Sequence, residues 1–490
     1  MAPNHGSKSG ARHRNSSNSA VAAPATATAI LAEARRLKQA AERKPDGIVS
    51  KQATLEQSAR LFQNALNLPL SLPIQEEALF DLGEVFLLWS SSLQARRAIE
   101  AGSPFRGKIK KDQALDLQYQ ISINAANLSR QSFEMYERVW ALEGRGELKQ
   151  EALVNSGNSL CDWASLLASI SEENGGGIAA AAERYNEADK RYAEALTSTP
   201  EDVELLTNVG DICVQRAELT ATSVQQSGAP SGSQETWAAV RALYERGLQA
   251  YAAACAHADA RVGDDVAGLL QNWGAGLLSL AERTPDLEES KEAYKVAQEK
   301  LRSAISFRPT DASLPIALGE TLCSQAERFG NHPALQPEVL KLLEEAVNDG
   351  FGAALKINSA NIEALLGLGD AHLAAGKLLH ELGNPANAML HWVQSSDAFL
   401  QVVKLLSADT EGEYTLSFEE QCDALYNLAC AAALAGQQDN ASKALHQLEQ
   451  VDAISAKDLS EDSDLKGLQV QDWFVEMIQR LTPSKEQSKE

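Results

Sequence analysis

Carboxylate and amide side chains recur in this chain at fixed steps from a recurring glycine. One residue after that glycine, or after the alanine that replaces it in the last copy, stand Glu84, Asn158, Asp211, Ala275, Glu320, Asp370 and Cys430. Two residues before it stand Asn155, Asn208, Asn272 and Asn427. An ionised carboxylate only accepts hydrogen bonds, and an amide both donates and accepts. A row of such groups can therefore take the backbone N–H groups and the Lys or Arg side chains of an extended segment. The same residues also suit the wet face of a series of amphipathic helices that binds nothing.

Motifs that would carry covalent chemistry are absent from the sequence. No GxGxxG opens a helix after a strand, and no GxxxxGK[ST] loop offers a phosphate cradle. Gly175, Gly176 and Gly177 fall in a linker, and no GxSxG elbow occurs. The eight histidines form no HExxH or Cys/His ligand set; the closest grouping is His372, His380 and His391. No metal or cofactor site is expected, and the chain reads as a binding protein rather than an enzyme.

The elements that must position the acids and amides are helices. Alanine and leucine dominate an apolar share of 44%, and aromatics are only 6%. Both residues lose little side-chain entropy in a helix, whereas strands favour β-branched and aromatic side chains. One spacing recurs: a large apolar residue, three on a small or apolar one, then glycine, then an apolar residue three further on. It is seen at Leu79/Leu82/Gly83/Phe86, Leu153/Ser156/Gly157/Leu160, Leu206/Val209/Gly210/Cys213 and Leu270/Trp273/Gly274/Leu277. Later copies are Pro315/Leu318/Gly319/Leu322, Leu365/Leu368/Gly369/His372 and Leu425/Leu428/Ala429/Ala432. Each fits one face of a helix of period near 3.6. Between them lie second helices, with Ala188, Tyr192 and Ala195 before Pro200, and Ala297, Leu301 and Ala304 before Pro309. Proline just past a helix end is explained by its inability to continue the helix. Each of these prolines precedes the next glycine by ten residues.

This pattern resembles the tetratricopeptide repeat family, whose unit of about 34 residues sets Trp, Leu, Gly and Tyr on a first helix and Ala, Phe/Tyr, Ala and Pro on a second. The match is best at residues 188–213 and 297–322, and 347–369 keeps the phase with Ser359 in place of proline. The resemblance implies an all-α, right-handed superhelical solenoid. In it the first helices line a concave groove and the residue after the glycine faces that groove. It therefore implies a protein-binding face made of Glu84, Asn155, Asn158, Asn208, Asp211, Asn272, Glu320, Asp370 and Asn427. Successive glycine positions lie 74, 53, 64, 45, 50 and 60 residues apart, so the array is divergent and interrupted. Loops are expected near 91–111, 171–177 and 223–234, in a solenoid of about seven helix pairs over residues 29–481. Residues 29–68 are expected to supply capping helices, and the segment ending in DSDLKGLQVQDWF a terminal cap.

In the co-chaperone subtype of the family, Lys and Arg beside two Asn residues hold a chaperone's C-terminal carboxylate. Asn158 and Asn208 match the amides, but Val154, Gly268 and Asn272 stand at the cationic positions. That argues against such a clamp.

Charge points the same way. The chain has 67 Asp and Glu against 44 Lys and Arg, a net charge of −23, which repels nucleic acid and anionic membranes and attracts basic partners. The one basic cluster, Arg96, Arg97, Arg106, Lys108, Lys110 and Lys111, reads as a solvated loop. Six cysteines without a CxxC pair fit a reducing compartment. No apolar run reaches the roughly 18 residues that a membrane span needs. Residues 1–28 are rich in Ser, Asn, Ala and Pro and hold no acid, and read as a disordered tail; an organelle transit peptide is the alternative. Residues 482–490 read as a second disordered tail.

The expectation is a cytoplasmic scaffold, adaptor, chaperone or assembly factor that grips a basic or extended segment. The rivals are a structural subunit held in a larger complex through aromatic residues such as Trp89, Trp140, Trp163, Trp237, Trp392 and Trp473, and an organellar assembly factor.

Overall fold

A computed structural model describes residues 25–44, 49–100, 110–142, 148–171, 176–226, 234–258, 263–408 and 416–482. No strand occurs among them. The α-helices are α1 Ala25–Glu42, α2 Val49–Leu66, α3 Leu72–Glu100, α4 Lys111–Ala141, α5 Lys149–Ser169, α6 Ile178–Leu196 and α7 Val203–Gln226. They continue as α8 Gln234–His257, α9 Gly263–Arg283, α10 Leu287–Phe307, α11 Ser313–Gly330, α12 Gln336–Glu345 and α13 Gly352–Ile357. The last are α14 Ile362–Glu381, α15 Pro385–Ala408, α16 Phe418–Leu434, α17 Gln438–Gln450, α18 Ala456–Glu461 and α19 Asp472–Leu481.

Neighbours in sequence pack as antiparallel hairpins: α1 with α2, α3 with α4, α5 with α6, α7 with α8, α9 with α10, α14 with α15 and α16 with α17. In the sixth hairpin α11 packs against α12 and the π-helical turn Ala346–Phe351 that joins α12 to α13. Local chemistry sets several boundaries. Asp286 and Asn361 accept the N–H of Glu289 and Ala364 and so cap α10 and α14. Ser417 and Glu420 form a reciprocal capping box on α16. Gly383 and Gly436, at φ +77° and +72°, turn the chain out of α14 and α16 through a conformation that costs glycine little.

The recurring glycine is where the two helices of a hairpin meet. A Cβ on Gly83 would lie 2.9 Å from the Tyr136 ring of α4, and one on Gly369 2.7 Å from the Phe399 ring of α15. Gly157, Gly210, Gly274 and Gly319 sit in the same way beneath Tyr192, Tyr251, Leu301 and Phe351. A second-helix ring thus occupies the volume that a side chain on the first helix would need, and Tyr136, Tyr192, Tyr251, Phe351 and Phe399 are each at most 2% exposed. Buried hydroxyls add a tie at some hairpins: Ser132 donates to the Gly83 carbonyl at 2.8 Å, Ser395 to that of Gly369 at 2.7 Å and Ser58 to that of Ala34 at 2.8 Å.

First helices also touch the next first helix: α1 meets α3, α7 meets α9, α9 meets α11, α11 meets α14 and α14 meets α16. No comparable contact joins successive second helices among the described residues. At these five junctions the array packs more closely along the row of first helices than along the row of second helices; α3–α5 and α5–α7 are not among them. The six cysteines are reduced.

Several expectations change. Residues 91–100 are not loop, because α3 runs on to Glu100; Leu93, Gln94 and Ala95 are good helix formers. Together with a 31-residue α4, the 29-residue α3 accounts for the 74-residue first interval. Residues 25–28, expected in the tail, begin α1, and α1 and α2 form a full hairpin without the glycine. Likewise 223–226 extend α7. The rest of the three expected loops, apart from 110–111, 171, 176–177 and 234, together with residues 1–24 and 483–490, lies outside the described residues.

Candidate functional site

All nine residues expected to face the groove lie on first helices of the hairpins: Glu84 on α3, Asn155 and Asn158 on α5, Asn208 and Asp211 on α7, Asn272 on α9, Glu320 on α11, Asp370 on α14 and Asn427 on α16. The structure brings most of them together in pairs across repeat boundaries. Asn208 donates its amide to Asn158 Oδ1 at 3.3 Å, Asn272 to Asp211 Oδ2 at 3.2 Å and Asn427 to Asp370 Oδ1 at 3.0 Å. The amide two residues before one glycine therefore serves the acceptor one residue after the glycine before it. Two of the wedge tyrosines reach the same acceptors from behind. Tyr192 donates to Asn158 Oδ1 at 2.7 Å and Tyr251 to Asp211 Oδ1 at 2.5 Å. Asn155 pairs only within its own helix, its Oδ1 lying 3.5 Å from the Asn158 amide nitrogen.

Glu84 and Glu320 stand outside this ladder for different reasons. Glu84 pairs with the Lys38 ammonium of α1, which also reaches Asp81 at 3.2 Å, and Arg35 holds Asp81 at 2.6 Å. Two cations, Lys38 and Arg35, therefore stand beside the acids of α3. At Glu320 the position that should supply an amide is Gly367, where a Cβ would strike the Phe351 ring. The ring that wedges Gly319 thus also excludes a donor from the next helix, and among the described residues the charge that bears on Glu320 is that of Glu363.

The carboxyls respond to these surroundings. Burial, with Glu363 adding to it, pushes Glu320 up to about 7. Burial lifts Asp211 to about 6 against the opposing bonds from Tyr251 and Asn272. Asp370, more open to water, is raised to about 6 by desolvation, offset in part by Asn427. Lys38 itself is raised, because Glu84 and Asp81 outweigh its desolvation. On a second helix the opposite holds: Asp189, clasped by Arg246 at 2.6 Å and Arg216 at 2.6 Å, is lowered despite burial.

Asp162 and the pairing role of Lys38 were missed in the sequence. Asp162 lies one turn beyond Asn158 on α5, is pushed up to about 7 by burial, and has no hydrogen-bond partner among the described residues. Its spacing of four from Asn158 was a usable signal; Lys38 gave none, since α1 lacks the glycine pattern. The histidine grouping proves to be a contact: His372 Nδ1 lies 3.0 Å from His391 Nδ1, and burial takes His372 down to about 4. Trp392 is 7% exposed, and Trp89, Trp140, Trp163, Trp237 and Trp473 pack against the core, so they do not form an external patch. Of the basic cluster, the Lys110 side chain pairs with Asp452 rather than standing in a solvated loop. The side chains of Arg96, Arg97, Arg106 and Lys108 lie outside the described residues.

No protein-family model matches the chain, and no curated protein sequence matches it. Similar solved structures include the S. pombe nuclear import adaptor Nro1, at 12% identity and a TM-score of 0.39, covering 71% of this chain and 98% of that one. Others are YrrB, described as a TPR protein with an unusual peptide-binding site (16% identity, TM-score 0.26, 50% and 89% covered), and MamA (13% identity, TM-score 0.26, 45% and 92% covered). The architecture rests on the chain's own pairing. This is an all-α array of helical hairpins packed in sequence order. Among the described residues no helix is long and apolar enough to cross a membrane.

Proposed function

We propose that the concave face holds an extended, cationic protein segment, and that the chain is a non-catalytic scaffold, adaptor or assembly factor for a basic client. The observation that carries this reading is Glu320, a half-buried carboxyl on the concave face with no cation or hydrogen-bond donor beside it among the described residues. Burying a carboxyl without a partner is costly, and a ligand ammonium or guanidinium would repay that cost by restoring the ionised form. Asp211 and Asp370 extend the row, and the amides between them can take backbone N–H and C=O groups.

The test is titration of a labelled Lys/Arg-rich peptide against the native protein and the triple variant D211N/E320Q/D370N. Each neutralisation is expected to weaken binding about tenfold, as for charge-assisted hydrogen bonds, and added salt should weaken the native complex. Equal binding of an acidic peptide, or indifference to salt, overturns the reading.

A second reading, a subunit of a stable complex, is favoured by the turn after α14 together with the start of α15. There Leu382, Met389 and Leu390 are 47, 44 and 56% exposed. It expects a complex that survives high salt and is lost when these three become Ser, with the acidic row intact.

A further inference from the structure

The start of α4 touches a part of the chain more than 300 residues away. Lys111 donates its backbone N–H to the Val451 carbonyl at 3.1 Å, and the Lys110 ammonium lies 2.6 Å from the Asp452 carboxylate, a separation of 342 positions. Behind these bonds Ala114, Phe418 and Val451 form a buried apolar cluster, each at most 1% exposed, with Cys422 and Ala453 packed against it. Asp452, at φ +57°, turns the chain out of α17 and presents both acceptors; aspartate is one of the few side chains that tolerate this conformation.

The two sides of this seam belong to the second and the eighth hairpins. Between them each hairpin packs on the next, from α4 on α5 to α15 on α16, so the contact of α16 with α4 closes a circuit of hairpins. It is also the slightest join in that circuit. The ion pair has side chains 54% and 65% exposed, a setting worth at most about 1 kcal/mol. Among the described residues one backbone bond adds about 1 kcal/mol, and the apolar contact is three buried residues with Cys422 and Ala453 packed against them. The glycine-bearing hairpins, by contrast, are each wedged by a buried ring or leucine along helices of many turns. A join of a few kcal/mol opens in a minor fraction of molecules, roughly 0.1–10%.

We propose that this seam is a latch: closed, it ties hairpins two to eight into a ring around the acidic face, and its opening admits a polypeptide from the side. A closed ring admits only a free chain end. The gating half of this proposal rests on the groove reading above; the ring itself does not.

The experiment has two arms. Zero-length carbodiimide coupling of the full chain is expected to join Lys110 to Asp452, found by mass spectrometry and absent from Asp452→Asn. Ala114→Asp, which sets a carboxylate against Phe418 and Val451, should raise the radius of gyration seen by X-ray scattering. Lys110→Glu is the milder opening variant, with rescue by Asp452→Lys. No coupling, together with an unchanged radius in both opening variants, overturns the ring. The second arm compares a Lys/Arg-rich peptide with the same peptide bearing a folded domain at each end. On the native protein the blocked peptide should associate at least about tenfold more slowly, the ratio following the rarity of the open state. On Ala114→Asp the two should associate alike, and the coupled protein should refuse the blocked one. Equal rates on the native protein, or uptake of the blocked peptide by the coupled protein, overturn the gate. If neither peptide binds any of these proteins, the groove reading falls and the gate with it, leaving the ring to be decided by the first arm.

Discussion

Glu84 and Glu320 hold the same position, one residue after the glycine of their first helices, and differ in what stands opposite. At Glu84 the first hairpin reaches over with Lys38, while at Glu320 the next helix offers Gly367 and a second acid, Glu363. Both carboxyls are raised, chiefly by burial; at Glu84 the lysine works against that rise, whereas at Glu320 the neighbouring acid reinforces it. The amino-terminal hairpin thus shows, within one chain, the contact that the middle of the face leaves unmade. A position that takes a lysine from α1 is stereochemically able to take one from a ligand.

Removing Lys38 should erase the difference, and the largest effect is expected there. Its side chain is 14% exposed and serves Glu84 and Asp81, of which only Asp81 keeps another cation, Arg35. Lys38→Ala therefore leaves one largely buried carboxyl uncompensated, at a cost of about 2 kcal/mol. Denaturant melts check the loss. The same variant should bind a Lys/Arg-rich peptide more tightly than the native protein does, because Glu84 joins the open row. An unchanged melt with unchanged affinity would mean that the two positions were never equivalent.

Glu320 should behave in the reverse sense. Its folded pKa, about 7, lies above the ordinary 4.5, so between those values the folded chain binds more protons than the unfolded one. Stability from this group is then full at low pH and declines as pH rises through that window. Asp162, Asp211 and Asp370, also raised, act with the same sign. Glu320→Gln removes the carboxylate that must be buried at neutral pH. It should stabilise the protein by about 1 kcal/mol at pH 8, once water's access to the concave face is allowed for, and by little at pH 5. Melting temperatures across pH 5–8 would show this as a flattened profile; a parallel shift at every pH would argue that Gln acts through packing instead.

How much of this contrast is visible in the sequence follows from which forces are local. The glycine positions and their phase are written in runs of a few residues, so the residue pattern by itself places the first helices and their acids. The long α3 and α4 lengthen the first interval without altering the pattern, so the first copy is legible and its helix lengths are not. The tyrosine and phenylalanine wedges are distant partners, 30 to 53 residues from their glycines, and nothing in the spacing ties Tyr136 to Gly83. The Lys38–Glu84 pair is harder still, since α1 has no glycine to set its register. Asn272 and Asp211 are both legible as groove residues, but their mutual hydrogen bond depends on how far one repeat rotates against the next.

That bond allows the finest test of the contrast between served and unserved acids, with the smallest effect. Asp211 keeps two donors, Tyr251 and Asn272, and sits at about 6; Glu320, with none, sits at about 7. Asn272→Ala removes one donor without touching the hairpin wedge. A hydrogen bond to a charged group contributes about 1.5 kcal/mol in a buried setting, and less on a face open to water, so the expected loss of stability is below about 1 kcal/mol at pH 8. The loss should shrink toward pH 5, because protonated Asp211 gives up less when an amide donor leaves. NMR titration of the Asp211 carboxyl carbon should place its midpoint higher in the variant, toward that of Glu320. If the midpoint does not move, the inter-repeat amides position helices without tuning the acids, and the high value at Glu320 belongs to burial and Glu363 alone.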